Sequence, residues 1–233
     1  MNDRPIILSI DIGGSHVKFR TSERDEPSRF ASSPELGPDA LCATIRDATR
    51  GWRYDGVSIG YPGVVVENAI VNEPHNLGAG WVGFDFAAAL GRPTRLLNDA
   101  AMQALGDYRG GTMLFLGLGT GLGSAMIAAP RILPTELAHL PYRKGRSFED
   151  YLGERGRRRR GRKKWEKHVW RVVDLLRRAL QPSELVIGGG NAEHLERVPG
   201  DVRIAANARA FEGGFRLWRD PWKAAAQLVG EGD

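Results

Sequence analysis

The pattern of apolar and polar positions divides the chain into two similar halves. The apolar run 6–10 leads into a turn at Gly13 and Gly14, after which apolar residues alternate with polar ones through 17–21. Two such runs joined by a short glycine turn predict a β-hairpin. The same arrangement recurs at 113–126, so we predict a second hairpin and an internal duplication in which each half supplies one glycine turn.

Strands and helices alternate between and after the two hairpins. This order is typical of an α/β fold with mixed sheets. The segments 73–81 and 134–139 are predicted to be loops, because turn-forming residues cluster there. The periodicity predicts further strands at 28–32, 57–60, 64–66, 93–97 and 184–187, and helices at 38–49, 84–90, 99–108, 147–152, 165–180, 204–218 and 221–229, with a glycine turn and a further helix after 187.

Composition excludes several classes of protein. The chain has 233 residues, of which 42% are apolar and 26% are charged, as expected for a globular protein. No run approaches the roughly 20 apolar residues of a membrane span, and no signal peptide is recognisable, so we expect a cytoplasmic protein without a membrane partner. The single cysteine, Cys42, excludes an internal disulfide and a zinc cluster of several thiolates.

Positive charge is concentrated in one place. The net charge is +5, yet eight of the ten residues from Arg155 to Lys164 are Arg or Lys, and the remainder of the chain is slightly acidic. The block predicts either a polyanion-binding patch or a solvated helix face. No aromatic residue lies between Arg155 and Lys164, which argues against nucleic acid as a partner.

The first hairpin turn has the composition of a phosphate site. Glycines allow backbone N–H groups to approach an anion, and Ser15 and Lys18 could contact phosphate oxygens. Asp11 ends the first strand and could bind Mg²⁺ directly or through water. An ordinary tight hairpin with a surface carboxylate is the alternative interpretation.

The motifs taken together resemble those of the ROK sugar kinases, within the actin-like and Hsp70-like ATPase superfamily. The resemblance is nearest to the polyphosphate glucokinase branch, which lacks the zinc-binding cysteines of many ROK proteins. The motifs that carry it are Asp11-Ile-Gly-Gly-Ser15 with Lys18, Gly60-Tyr-Pro-Gly63, Asn98-Asp99-Ala100, Gly117-Leu-Gly-Thr-Gly121, Glu136-Leu-Ala-His139 and Gly188-Gly-Gly190.

The resemblance implies two ribonuclease-H-like lobes with mixed sheets around a central cleft. We expect an N-terminal lobe of residues 1–98, completed by a C-terminal helix at 219–233, and a C-terminal lobe of residues 99–218. The implied activity is phosphoryl transfer to the 6-hydroxyl of glucose or a related hexose, with polyphosphate or ATP as donor and Mg²⁺ as cofactor. No zinc is expected, and a homodimer is an open alternative to a monomer.

The resemblance also assigns roles to individual residues. Asp99 matches the general base, and Asp11 would hold the magnesium ion. The sugar ligands implied are Asn76, Asn98, Asp99, Glu136, His139 and Glu149. The phosphate- and donor-binding residues implied are Asp11, Gly13, Gly14, Ser15, Lys18, Gly119, Thr120, Gly121, Gly188, Gly189 and Gly190.

Two other functions stay open at this point. One is a sugar-responsive protein that keeps the fold without catalysis, and the other is a polyanion- or nucleic-acid-binding protein that uses the Arg155–Lys164 block. Within the kinase interpretation, the same block is either a track for polyphosphate or a solvated face. The presence of Asp99 favours catalysis, because a non-catalytic protein has no need for the base.

Overall fold

A computed structural model describes residues 4–205, 209–219 and 221–222 of the chain. The strands are β1 (Ile7–Ile12), β2 (His16–Thr21), β3 (Ser28–Ala31), β4 (Gly56–Tyr61), β5 (Val65–Val66), β6 (Ala69–Ile70), β7 (Thr94–Asn98), β8 (Thr112–Leu118), β9 (Leu122–Ala128), β10 (Arg131–Thr135), β11 (Pro141–Arg143), β12 (Arg146–Ser147), β13 (Glu184–Gly188) and β14 (Val202–Ile204). The α-helices are α1 (Pro38–Ala48), α2 (Phe86–Leu90), α3 (Asp99–Asp107), α4 (Glu149–Leu152), α5 (Glu154–Arg160), α6 (Arg162–Leu180) and α7 (Arg209–Arg216).

Two five-stranded sheets share one topology. The first has the order β3-β2-β1-β4-β7 and the second the order β10-β9-β8-β13-β14. In each sheet the first three strands are antiparallel and the last two run parallel to the central one. The hairpins β1-β2 and β8-β9 therefore occupy equivalent positions, as the predicted duplication requires.

Burial explains why the central strands read as continuous apolar runs. Every residue of β4 is buried, because a parallel strand inside a sheet is covered on both faces. Helix α1 packs Leu41, Cys42 and Ile45 against the first sheet, so Cys42 is a core residue. Helix α6 buries Val169, Val172, Val173 and Leu176 in the second core.

Helices α3 and α7 pack against each other and connect the two sheets. Helix α3 contacts β8, β9 and β10 as well as β4 and β7, while α7 contacts β1 and β4. Glycine stands at the closest approach, since a Cβ on Gly106 would overlap the carbonyl of Arg209 and one on Gly213 would overlap that of Met102. Ser58 Oγ donates a hydrogen bond of 2.7 Å to the carbonyl of Gly214. The lobe boundary at residue 98 stays a prediction, because α7 contacts elements on both sides of it.

Three local predictions were wrong. The predicted helix 204–218 begins later, because Val202 and Ile204 form β14 and pair with Leu185 and Ile187 of β13. β-Branched residues favour this extended pairing. The predicted loop at 134–139 starts with the end of β10, an edge strand that accommodates Pro134 because one side of it needs no partner.

The remaining difference lies after β13. The helix predicted to follow the glycine turn is a 3₁₀ segment, Gly190–His194. The predicted helices at 221–229 and 219–233 lie outside the described residues, apart from Arg219, Pro221 and Trp222.

No helix among the residues that the structure describes is both long enough and apolar enough to span a membrane.

The α3–α7 contact makes a testable prediction about stability. Gly106→Ala should lower the free energy of unfolding by about 1–3 kcal/mol, because the new methyl group overlaps the backbone of α7. Helix propensity alone predicts the opposite sign, a gain of up to about 1 kcal/mol. Urea denaturation measures the difference. Gly200→Ala is the control, since nothing lies within 4 Å of a Cβ there, and equal stability of the two variants would contradict the close contact.

Candidate active site

The first glycine turn is closed by its own backbone and by one serine. The N–H of Gly13 donates to the carbonyl of His16 at 3.0 Å, and Ser32 Oγ donates to the carbonyl of Gly13 at 2.8 Å. The N–H groups of Gly14 and Ser15 have no protein acceptor in the described part of the chain. Successive free N–H groups in a turn form a concave anion site.

The second glycine turn has the same character. The N–H of Gly119 donates to the carbonyl of Gly121 at 3.1 Å, and Asn191 Nδ2 donates to the carbonyl of Gly119 at 2.8 Å. Within the described ranges, the N–H groups of Thr120 and Gly121 again lack a protein acceptor. Each hairpin therefore presents two backbone donors to a prospective anion.

The short helix α4 supports the second turn. Glu149 Oε2 accepts a hydrogen bond of 3.2 Å from the N–H of Leu122, and a Cβ on Gly121 would overlap that carboxylate. The N–H of Glu154, at the start of α5, donates to the carbonyl of Gly119 at 2.9 Å. Glu149, which the resemblance assigns to the sugar, thus lies at a turn assigned to the donor.

Asp99 lies where β7 changes into α3. Asn98 caps the helix, because its Oδ1 accepts from the N–H of Ala101 at 3.1 Å while its Nδ2 donates to the carbonyl of Gly63 at 3.0 Å. Asn98 therefore has one N–H and one lone pair left for a ligand. Asp99 Oδ1 accepts from the N–H of Ala100 at 2.7 Å, which fixes the carboxylate at the helix N-terminus.

Burial and like charges make Asp99 a weak acid. Desolvation raises its pKa to about 7, and the charges of Asp11 and Glu136 add to the rise, whereas the hydrogen bond from Ala100 opposes it. Burial also raises the pKa of Asp11 to about 6, against the opposing charge of Lys18, its cross-strand partner. Asp11 and Glu136 are therefore both close enough to Asp99 for their charges to raise its pKa.

The second hairpin lies against the same end of α3. A Cβ on Gly123 in β9 would overlap the Cβ of Ala100, the residue after Asp99. On the opposite side, a Cβ on Gly60 at the end of β4 would lie 3.5 Å from Cα of Asp99. Asp99 consequently lies between the first sheet and the β8-β9 hairpin.

The other residues assigned to the sugar are exposed. Glu136 Oε2 lies 3.5 Å from His139 Nε2, across a 3₁₀ turn that leaves both side chains open to solvent. Asn76 is exposed in the loop 73–81, which Glu73 organises by accepting from the N–H groups of Trp81 and Val82. The charge of Glu136 thus influences the pKa of Asp99. Among the described residues, Asn76 forms no hydrogen bond with Glu136 or Asp99.

Packing accounts for two of the three glycines at 188–190. A Cβ on Gly188 would overlap the ring of Phe115, and one on Gly189 would overlap the backbone of Leu118. Gly189 also has φ +81°, a conformation that favours glycine. Gly190 faces open space, so of the three it alone has no structural reason to be glycine.

Asp11 is the candidate ligand for a magnesium ion, and it would act without a cluster of other protein ligands. In the described residues no group of three or more His, Cys, Asp or Glu side chains is placed to hold a metal. Magnesium in phosphoryl-transfer sites typically takes one or two carboxylates and completes its shell with water and substrate phosphates. A half-buried Asp11 between a glycine turn and Asp99 fits that pattern.

The Arg155–Lys164 block does not form a single face. Glu154 pairs with Arg157 and Arg158, and Arg162 pairs with Glu196. Arg155 and Arg159 line one small groove with Arg146 and Asp150. Arg160 and Lys164 line a different groove, whose wall includes Tyr151.

Sequence reasoning missed two residues that shape the site, Asn191 and Glu73. Asn191 is buried, and its position directly after the glycine run was the available signal in the sequence. No local pattern distinguishes Glu73 from an ordinary surface carboxylate. Its role depends on the fold of the loop, where accepted N–H bonds lower its pKa.

The raised pKa of Asp99 makes a prediction about stability and pH. A carboxyl group whose pKa is about 7 when folded and about 4 when unfolded destabilises the fold as pH rises between those values. Asp99→Asn removes this penalty while keeping an oxygen for the Ala100 N–H. The Tm of the variant should therefore exceed that of the wild type by several degrees at pH 8 and by much less at pH 4.5, in thermal melts at matched ionic strength. A constant difference across this range would contradict the burial of an ionisable group.

Comparisons with known proteins identify relatives of the chain in sequence and in fold. No family model matches the chain. Polyphosphate glucokinase of Mycobacterium tuberculosis is 28% identical over 205 residues, which are 78% of this chain and 77% of the relative.

Solved structures match the fold over almost its whole length. The inorganic polyphosphate/ATP-glucomannokinase from Arthrobacter sp. strain KM superposes with a TM-score of 0.77 at 23% identity, covering 91% of this chain and 97% of the other. A ROK family glucokinase from Streptomyces griseus, in complex with glucose and AMPPNP, gives a TM-score of 0.71 at 19% identity, covering 91% and 98%. The predicted resemblance is thus confirmed: the chain is related in sequence to polyphosphate glucokinases and has the two-lobed α/β fold of the ROK sugar kinases, which supports a glucokinase-type phosphotransferase.

Proposed function

We propose that this protein transfers a phosphoryl group to the 6-hydroxyl of glucose, with Asp99 as the general base. The observation that carries the proposal is a weakly acidic carboxylate, held at a helix N-terminus beside two glycine turns with unused N–H groups. A sugar hydroxyl is a poor nucleophile at neutral pH, so a positioned proton acceptor is needed. A base with a pKa near 7 combines the ionised form with the ability to accept a proton.

The polar groups around Asp99 would orient the sugar. The remaining N–H and lone pair of Asn98, together with Glu136 and His139, offer donors and acceptors for neighbouring hydroxyls. A site built on such hydrogen bonds rejects the wrong epimer by leaving a polar group unpaired. Asn76 and Glu149 are further candidates, with Glu149 contributing through the turn that it supports.

The two turns would hold the donor. The N–H groups of Gly14, Ser15, Thr120 and Gly121 can donate to phosphate oxygens that gain charge in the transition state. Asp11 would hold magnesium, which when bound neutralises the developing charge. Lys18 lies opposite Asp11 on β2, where it is exposed and can contact a phosphate.

Polyphosphate is the donor that we favour, with ATP as the alternative. Gly188 and Gly189 are explained by packing, which leaves less sequence support for an adenine slot at that turn. The similarity to polyphosphate glucokinases points the same way. A coupled assay of glucose 6-phosphate formation, with ATP and polyphosphate supplied separately, tests the function and the donor together. The cytoplasmic location and the homodimer stay predictions.

A sugar-responsive protein without catalysis is the second candidate, and the energetics of Asp99 disfavour it. Holding a desolvated carboxylate near Asp11 and Glu136 costs stability at neutral pH. Perturbed carboxylates of this kind are concentrated at catalytic sites.

The base assignment predicts the effect of a conservative change. Asp99→Asn should lower kcat by about 10²–10⁴-fold, because the proton acceptor is lost while size and hydrogen bonding are kept. Glucose binding, measured by isothermal titration, should change little. A variant that retained more than about a tenth of the wild-type turnover would remove Asp99 from the role of base.

The turn assignment predicts a selective effect on the donor. Gly119→Val and Asp11→Ala should each raise the KM for the donor by about 10–100-fold and leave the KM for glucose almost unchanged, because the loss falls on charge-assisted contacts to phosphate. Position 119 is a clean probe, since nothing lies within 4 Å of a Cβ there.

Gly200→Val is the matched control, because its Cβ also meets open space in a loop away from the turns. A rise confined to the KM for glucose would contradict the assignment of the turns to the donor.

A further inference from the structure

A groove between β11, the end of α5 and one face of α6 carries an excess of positive charge. Its volume is about 370 Å³, and Tyr151 and His168 form part of its wall. We call it the cationic groove. Its six basic residues are Arg143, Lys144, Arg160, Lys164, Lys167 and Arg171.

These six residues differ from five of the eight other basic residues on α5 and α6. On α5 and α6, Arg157 and Arg158 pair with Glu154, and three further arginines pair with carboxylates. Those three pairs are Arg162 with Glu196, Arg177 with Asp201, and Arg178 with Asp174. Within the described ranges, none of the six groove residues forms an ion pair, and no Asp or Glu lines the groove. The positive charge of the groove is thus left uncompensated, whereas five of the eight other basic residues on α5 and α6 are paired with carboxylates. Arg155, Arg159 and Lys163 also form no ion pair among the described residues, but Arg155 and Arg159 line a groove that contains Asp150.

The electrostatics of the groove favour an anion. Arg160, Arg171 and Arg143 add to desolvation in lowering the pKa of His168, which shows that their field converges on its ring. His168 Nδ1 lies 3.0 Å from the hydroxyl of Tyr142, so the ring is held in place within the groove. Like charges so arranged repel one another, and a bound polyanion relieves the repulsion.

The shape of the groove suits an extended ligand. Lys164, Lys167 and Arg171 are spaced by three and four residues, so they lie on one face of α6 and extend over about 10 Å. Arg143 and Lys144 belong to β11 and the turn after it, and they line the same groove from a separate element. A linear chain of phosphates can contact both sets along its length.

The groove lacks the features of a nucleic-acid site. Of the two rings that line it, Tyr151 is buried, with the guanidinium of Arg160 3.7 Å from its centroid. The partly buried ring of His168 packs edge-on against Tyr142 and Tyr151. Single-stranded nucleic acids usually bind through exposed aromatic rings on which bases stack. Anion binding without base stacking indicates a simpler polyanion.

The groove is also connected to the second glycine turn. Glu149, at the start of α4, supports that turn, and Arg160 Nη1 donates to the carbonyl of Asp150 in the same helix at 3.0 Å. Arg160 therefore joins the groove to α4, the helix that supports the turn assigned to the donor.

We propose that the cationic groove binds the distal part of a long inorganic polyphosphate chain whose terminal phosphate occupies the glycine turns. The expected effect on kinetics rests on the proposed function. The binding of polyphosphate in the groove is inferred from the unpaired charge and does not require that function. It replaces the continuous track of residues 155–164 with six residues from three elements, of which only Arg160 and Lys164 belong to that block. No bond is made or broken in the groove.

The test uses the triple variant Lys164→Gln, Lys167→Gln, Arg171→Gln. Its KM for long-chain polyphosphate should rise at least tenfold, while kcat and the KM values for tripolyphosphate and ATP stay within about twofold. The dependence of log KM on log salt should flatten by about two to three units, because about three counterion-releasing contacts are lost. The matched control is Arg158→Gln, Arg177→Gln, Arg178→Gln, which removes the same charge from paired positions on α5 and α6 and should change none of these values.

Direct binding separates this proposal from the proposed function. Fluorescence anisotropy with labelled long-chain polyphosphate should show at least tenfold weaker binding for the groove variant than for the wild type and the control. If the wild type failed to phosphorylate glucose with either polyphosphate or ATP, the proposed function would fail. The difference in polyphosphate binding would still support the cationic groove as a binding site. Equal binding by all three proteins, or tighter groove-dependent binding of a single-stranded RNA of matched charge, would overturn the polyphosphate site.

Discussion

The close contact between α3 and α7 determines where the candidate base lies. Helix α3 approaches α7 at Gly106 and Gly213, where any side chain would meet the backbone of the other helix. At this separation α3 can touch both sheets, and its first residue is Asp99. A larger spacing would move α3 relative to the first sheet, which carries Asp11 and against which α7 packs. The position of the carboxylate thus depends on a packing contact that runs along its helix from Met102 to Gly106.

The chemistry of Asp99 follows from this placement. The helix N-terminus and the Ala100 N–H stabilise the ionised form, whereas burial and the charges of Asp11 and Glu136 destabilise it. The second influence prevails, which raises the pKa to about 7. A surface Asp at a helix N-terminus would be far too acidic to accept a proton at neutral pH. The two hairpins that would bind the donor therefore also contribute to the raised pKa of Asp99. The first supplies the charge of Asp11, and the second packs against the start of α3.

The sequence predicted those parts of the molecule that depend on local pattern. Both hairpins and α6 were predicted from periodicity, because their apolar residues repeat within one segment. Strand β14 could not be recognised, since three residues become a strand only by pairing with β13. The cationic groove could not be recognised in the sequence for a similar reason, because its residues come from separate segments. The carboxylates that pair with arginines outside the groove, such as Glu196 and Asp201, also lie far along the chain.

The separation of charge between the two sites has a physical reason. An anionic donor is repelled by the carboxylates around Asp99, so a protein that binds a polyanion needs positive charge somewhere. Arginines beside Asp99 would supply it, but an adjacent cation lowers the pKa of a carboxyl group by one to three units and would weaken the base. The chain instead places neutral N–H donors at the glycine turns and six unpaired cations in the cationic groove. From there they can attract a long polyanion over roughly a Debye length, about 8–10 Å at physiological salt, without lowering the pKa of Asp99.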